Sequence, residues 1–135
     1  MSAELEMVLR LLLAVGLGAL IGFERQHAGK PAGLRTHLLV CIGSALFTIA
    51  SIYGFGEDSD TARVAAGIVA GIGFLGAGTI IRSREGILVG LTTASSIWAV
   101  AAIGLAAGAG LYILAPVTTV IVLIVLMLPK RIGGE

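Results

Sequence analysis

The sequence predicts an all-α polytopic membrane protein, a bundle of about five transmembrane helices, and three observations carry that prediction. Of 135 residues, 57% are hydrophobic and 13% charged, with a mean hydropathy of +1.04. A soluble domain carries about a quarter charged residues. Five apolar runs of 17–21 residues follow one another, each near the ~20 residues that a bilayer core demands of a helix. Lys and Arg gather at alternate run ends, the bias that orients membrane helices. The apolar content excludes a disordered chain, and so few charges cannot cover a soluble globule. A net charge of +1 excludes a strongly basic nucleic-acid binder. Residues 1–135 are expected to form a single transmembrane domain.

The first run covers 7–23, with Arg10 near its start placed to snorkel to the headgroups. The residues before it, Glu4 and Glu6, are acidic and unlike the basic start of a cleavable signal, so this run is expected to be retained. The second covers 36–53 and the third 61–81, with Arg63 in its first turn. The fourth, 88–107, and the fifth, 111–128, are joined by a Gly/Ala turn at 106–110 that predicts a helical hairpin. Pro116 falls where a helix start tolerates it, and Pro129 ends the last run. The remaining connections, 24–35, 54–60 and 82–87, are short; the last is a tight basic turn. Segments of about ten alternating residues, the mark of membrane β-strands, do not occur. Nor does an internal repeat, so the inverted-repeat plan of many transporters is not expected.

Seven basic residues lie on one side (Arg25, Lys30, Arg35, Arg82, Arg84, Lys130 and Arg131) and two, Arg10 and Arg63, on the other. The acidic residues Glu4, Glu6, Glu57, Asp58 and Asp60 lie on the side poor in Lys and Arg. This places the N-terminus outside and the C-terminus in the cytoplasm. A bias this consistent argues against dual topology, so any homo-oligomer is expected to be parallel.

Glycines four apart let helix backbones approach closely in lipid. Gly18 and Gly22 do so in the first run, Gly67 and Gly71 in the third, Gly104 and Gly108 in the fourth. The third run adds Gly73, Gly76 and Gly78, which predicts that it packs on several neighbours at the centre of the bundle. The excess of small faces favours a parallel homodimer.

Polar groups collect at the cytoplasmic ends. Glu24 and Arg25 close the first run, Arg35, Thr36 and His37 open the second, and Arg82 closes the third. Glu24 is expected to pair with Arg35 or Arg82, arginine suiting a part-buried bidentate contact; plain positive-inside flanking is the other reading. Thr92, Thr93, Ser95 and Ser96 form a hydroxyl run expected to bond carbonyls a turn back or a neighbouring helix. Trp98 reads as a packing residue. On the outer side, Asp60 and Arg63 suit a helix cap with a local ion pair. Asp58 and Asp60, with Glu57, are weaker candidates for a Mg²⁺ site of oxygen ligands. His27 and His37 lack zinc spacing, and Cys41 reads as a small packed residue. Gly71-Ile72-Gly73-Phe74-Leu75-Gly76 fits a nucleotide-loop pattern, but inside a membrane run rather than after a strand. No nucleophile–base set is evident, so an enzyme is not expected, and no cofactor is implied beyond Mg²⁺.

Several motifs together resemble the MgtC/SapB family of membrane proteins. They are Gly22-Phe23-Glu24-Arg25, Ala32-Gly33-Leu34-Arg35-Thr36-His37-Leu38-Leu39-Val40, Asp60-x-x-Arg63, the run 71–78, and Gly90-Leu91-Thr92-Thr93-Ala94 with Ile97-Trp98. Their order and spacing extend over about residues 10–112. The resemblance implies a bacterial inner-membrane protein of about five helices, linked in some members to growth in low Mg²⁺, virulence and survival in macrophages. For the family's namesake it implies restraint of the proton-translocating ATP synthase. Such proteins often carry a soluble C-terminal domain beyond the span of this sequence, and many have a basic residue where Val89 stands. Residues and resemblance together lead to a non-enzymatic membrane protein that modulates Mg²⁺-linked or proton-motive homeostasis by binding membrane partners such as ATP synthase. The alternative is a small transporter or channel for Mg²⁺ or another ion, with Glu24, Asp60 and the hydroxyl run along its path.

Overall fold

Five helices succeed one another in a computed structural model that describes residues 2–82 and 84–129. They are α1 (Ala3–His27), α2 (Leu34–Tyr53), α3 (Ala62–Gly78), α4 (Leu91–Gly108) and α5 (Leu114–Leu126). Between α3 and α4 stands a two-residue hairpin, β1 (Ile81–Arg82) with β2 (Leu88–Val89), paired antiparallel as Ile81↔Val89 and Arg82↔Leu88. The sequence predicts a bare turn here, with helices reaching 81 and restarting at 88. Instead the Thr79 hydroxyl donates back to the Gly76 carbonyl at 2.7 Å, and the β-branched Ile80, Ile81 and Val89 favour extended backbone.

The helices α1, α2 and α4 are long and apolar enough to cross a membrane. The shorter α3 has 17 residues and α5 has 13, so at 1.5 Å per residue they measure roughly 25 Å and 20 Å against a core of about 30 Å. The fifth helix therefore starts later and ends sooner than the run 111–128 suggests. Pro116 sits in its first turn, where a missing N–H leaves no bond unmade.

Contacts between helix ends fix an alternating path. The start of α1 meets the end of α4, through Arg10 Nη1 donating to the Gly108 carbonyl at 3.1 Å. The end of α1 meets the end of α5, through Arg25 Nη2 donating to the Leu126 carbonyl at 3.2 Å. The start of α2 meets the start of α4 through His37 and Ser96, and Ser51 near the end of α2 reaches Thr61 before α3. Each helix thus runs back along its predecessor, and the first and last described ends lie at opposite ends of the bundle.

The core is shared by α1, α2 and α4: Ala14, Leu17 and Ile21 meet Val40, Cys41 and Ala45, and these meet Ile97, Val100, Ala101 and Ala107. Glycine sets its tightness. A Cβ on Gly104 would collide with the Cys41 carbonyl, and one on Gly108 would stand 2.6 Å from the Ala45 carbonyl. One on Gly18 would meet Cys41 Cβ at 2.7 Å, and one on Gly22 would meet Leu34 Cα at 2.9 Å. Hydroxyls inside this core are bonded: Ser44 donates to the Ala101 carbonyl at 2.6 Å across the α2–α4 seam, and Thr48 and Thr119 donate a turn back.

The central helix is therefore α4, and the expectation that the third segment is central is corrected. Among the residues of α3 only Gly76 is buried, in ordinary contact with Ala94 of α4. Ile68 and Ile72 share that inward stripe. Nothing lies within 4 Å of a Cβ built on Gly67, Gly71, Gly73 or Gly78. Large apolar side chains cover the outside, including Phe74 at 86% exposure, an arrangement suited to lipid rather than water. Trp98 belongs to this outer surface at 56% exposure, not to the packing between helices.

The glycine contacts give a direct test. Gly104→Ala places a methyl against backbone that cannot yield, and should lower stability by about 1–3 kcal/mol. Gly71→Ala should leave the thermal unfolding of the isolated chain in detergent unchanged or slightly raised. Equal unfolding temperatures for wild type and Gly104→Ala would contradict the seam.

Candidate functional site

Both ends of the bundle carry an α1 arginine. At the first end, Arg10 Nε donates to Glu6 Oε1 at 3.0 Å, one turn back, while its guanidinium lies 5.2 Å from the Tyr53 ring centroid. Tyr112 donates to the same Glu6 oxygen at 2.5 Å. Arg10 is thus tied to α2 and α4 and does not reach outward along the lipid. Nearby, Asp60 Oδ1 accepts from Ala62 N at 3.0 Å and its carbonyl accepts from Arg63 N at 3.2 Å, so Asp60 acts on the start of its own helix. Asp58, Asp60 and Arg63 are exposed. Among the described residues no three His, Cys, Asp or Glu side chains come together to hold a metal ion.

The second end is where the sequence places its polar candidates. Arg25 is 2% exposed. Its Nε and Nη2 donate to Glu24 Oε1 and Oε2 at 2.6 and 3.1 Å, a two-pronged contact between chain neighbours. Nη2 also reaches the Leu126 carbonyl, an acceptor that the last turn of α5 cannot satisfy itself. Glu24 therefore pairs with Arg25, not with Arg35 or Arg82. Adjacent positions on a helix do not face each other, which is why spacing points elsewhere; here both long side chains swing together. Arg35 and Thr36 are exposed, and Arg82 stands exposed on the hairpin.

His37, which the sequence places among the polar groups opening the second run without assigning it a role, is where the structure adds most. It is fully buried between α2 and α4. Its Nδ1 donates to the Gly33 carbonyl at 2.8 Å, since a carbonyl only accepts, and its Nε2 lies 2.9 Å from Ser96 Oγ. The Ser96 hydroxyl is also 2.9 Å from the Thr93 carbonyl, so its one proton serves either neighbour. Of the hydroxyl run, Thr93 and Ser96 face inward, Thr92 is half-buried, and Ser95 bonds the Leu91 carbonyl one turn back. A histidine at the second position of one apolar run and a serine in another share no sequence signal.

A cavity of about 650 Å³ opens at this end, lined by Arg25, Lys30, the second strand (Leu88, Val89), Gly90 to Thr93 of α4 and the end of α5 from Val125. Gly90, at φ +96°, starts α4 with its backbone against the Thr79 carbonyl, where no side chain fits. Lys130 and Arg131, expected at the same end, lie outside the described residues.

Helices with outward apolar faces, alternating direction and arginine-closed ends define a polytopic helical membrane protein. More closely, the chain belongs to the MgtC family, whose profile matches residues 11–134. It is similar to the protein named "Putative magnesium transporter YhiD" of Escherichia coli K12, 48% identical over 128 residues, covering 90% of this chain and 59% of that one. It is also similar to protein SrpB of Synechococcus elongatus, 44% identical over 91% of this chain and 74% of SrpB. Protein MgtC of Brucella abortus is 53% identical over 81% of this chain and 45% of its own length. The chain thus spans about three-fifths of YhiD and under half of the Brucella protein. No solved structure matches it.

The Glu24–Arg25 contact predicts an asymmetry between variants. Glu24→Ala leaves a buried guanidinium without its counter-charge and should cost about 3 kcal/mol. The double variant Glu24→Leu with Arg25→Met removes both charges and should lose less. Denaturant unfolding in detergent measures both, and a double variant that loses as much as Glu24→Ala or more would contradict the penalty of an uncompensated Arg25.

Proposed function

We propose that the chain is a non-enzymatic protein of the bacterial inner membrane that modulates Mg²⁺-linked or proton-motive homeostasis by helix-to-helix binding of membrane partners. The observation that carries this reading is the open face of α3. Gly67, Gly71 and Gly78 share one stripe, Phe74 projects from it, and among the described residues none covers it. In lipid, association comes from close packing rather than from apolar burial, so an uncovered glycine stripe is a surface for another helix. A second copy in a parallel dimer is one occupant; a subunit of the ATP synthase is another, on the strength of the family resemblance. The N-terminus outside and the C-terminus in the cytoplasm complete the reading, resting on the basic residues at 25, 30, 35, 82 and 84.

Transport of Mg²⁺ is the second reading, favoured by the name of the K12 relative. Against it stand the bonded core hydroxyls and the capping role of Asp60.

Four measurements test these readings. Purified protein in liposomes should give no saturable Mg²⁺, H⁺ or K⁺ flux; a saturable flux lost in a folded Glu24→Ala variant would make it a transporter. In membranes, if a second copy occupies the stripe, Gly71→Cys should cross-link to a copy of itself; the buried Cys41 does not compete. In inverted vesicles the protein should lower ATP-driven proton pumping, and Gly71→Leu should weaken that effect. Labelling completes the set: Ser59→Cys should react in intact cells, Glu85→Cys only after permeabilisation.

A further inference from the structure

We propose that the cavity beside Arg25 binds a phosphate group, supplied in the membrane by the headgroup of an anionic phospholipid. The first observation is an unmet donor. Arg25 Nε and Nη2 are occupied by Glu24 and Leu126, but Nη1 is buried and has no hydrogen-bond partner. A buried charged N–H group without an acceptor is costly, and Arg25 is part of the cavity wall. A phosphate oxygen supplies the acceptor, in the planar geometry that guanidinium groups favour.

The second observation is independent. The start of α4 opens into the same cavity. Its capping residue is Gly90, which brings no side chain to the helix end. The first amides of a helix have no acceptor within it and carry the positive end of its dipole, an arrangement that receives phosphate. Lys30 and Thr92 stand on the same wall and add a cation and a hydroxyl.

The walls decide the source of the phosphate. Leu88 and Val89 on one side, with Val125 and Leu128 on the other, are apolar and exposed outside the bundle. A charged floor with apolar walls at a bundle end matches a headgroup with acyl chains leading away. Basic pockets between membrane helices take anionic headgroups on the same physical grounds. The cavity volume of about 650 Å³ lies within the usual range of ligand sites. The proposal does not depend on transport or on a protein partner.

The test titrates the full chain in non-ionic detergent, read by native mass spectrometry and thermal unfolding. Three probes are used: phosphatidylglycerol, diacylglycerol with the same acyl chains, and inorganic phosphate. Phosphatidylglycerol should bind at least tenfold more tightly than diacylglycerol and raise the unfolding temperature. Arg25→Gln should weaken it about tenfold, and Lys30→Gln about fivefold. Because Arg25→Gln also disturbs the Glu24 pair, Lys30→Gln and Thr92→Val provide variants at the rim that leave the pair in place. Equal binding of phosphatidylglycerol and diacylglycerol, or binding unchanged in both rim variants, would overturn the site. Inorganic phosphate binding as tightly as phosphatidylglycerol would overturn the lipid as source.

Discussion

A helix end leaves carbonyls that its own turns cannot reach, and in hydrocarbon no water is present to take them. The fold answers this constraint with two arginines on one helix. Arg10 donates to the Gly108 carbonyl at the end of α4, and Arg25 to the Leu126 carbonyl at the end of α5. They stand fifteen residues apart in sequence, roughly 22 Å along the helix axis, so α1 spans the bundle as a brace with a cation at each end. Each cation also lies at the negative pole of the helix it closes. Each is balanced by a glutamate of α1 itself, Glu6 or Glu24. The brace therefore adds no uncompensated charge to a low-dielectric interior, where one would be costly.

Between those ends, the distance of closest approach is set by missing side chains. Gly104 and Gly108 on α4 bring its backbone against Cys41 and Ala45 on α2, while Gly18 on α1 brings its own against Cys41. Cys41 thus sits where three helices converge, which explains a buried thiol without assigning it chemistry. Ser44 bonds across the same seam, to the Ala101 carbonyl. Apolar burial contributes little to holding helices together in lipid; contact distance and a few polar bonds do that work. This is why α4, with the two glycines that touch α2, is central, and α3, with more glycines, is not.

Most of the fold is legible in the sequence because its signals are local. Apolar runs, charged boundaries, Pro129 and the glycines of the turns each act on their own neighbourhood, and they locate all five helices. What a glycine pair faces is not local. Gly18–Gly22 and Gly67–Gly71 have the same spacing, yet the first meets α2 and the second meets none of the described residues. The pairing of Glu24 is similarly obscured, because side-chain reach, not spacing, joins it to Arg25. His37 with Ser96, and Arg10 with Tyr53, join residues from separate segments. No pattern within either segment marks them. The short hairpin is missed because β-branched residues suit both a membrane helix and a strand, and only the turn at Gly86 and the positive φ of Gly90 tip the balance.

These differences divide the bundle into two parts with different physics. In α1, α2 and α4 the glycines Gly18, Gly22, Gly104 and Gly108 meet neighbours, the core hydroxyls of Ser44 and Thr48 are bonded, and Arg10 closes the end of α4. In α3 one stripe, Ile68, Ile72 and Gly76, faces inward, and the opposite stripe has no neighbour among the described residues. A chain with no use for that second stripe gains nothing from glycine there, since glycine in a helix costs about 1 kcal/mol relative to alanine. Three such residues, at 67, 71 and 78, are a standing cost to the isolated chain that only a closely approaching neighbour offsets. The same reasoning applies to Arg25. Its Nη1, buried and without an acceptor, is destabilising unless something fills the cavity beside it. Both features are unfavourable in the chain alone, and the proposed partner helix and the proposed phosphate are the two complexes that would offset them, so both proposals stand at places where this sequence departs from the most stable bundle.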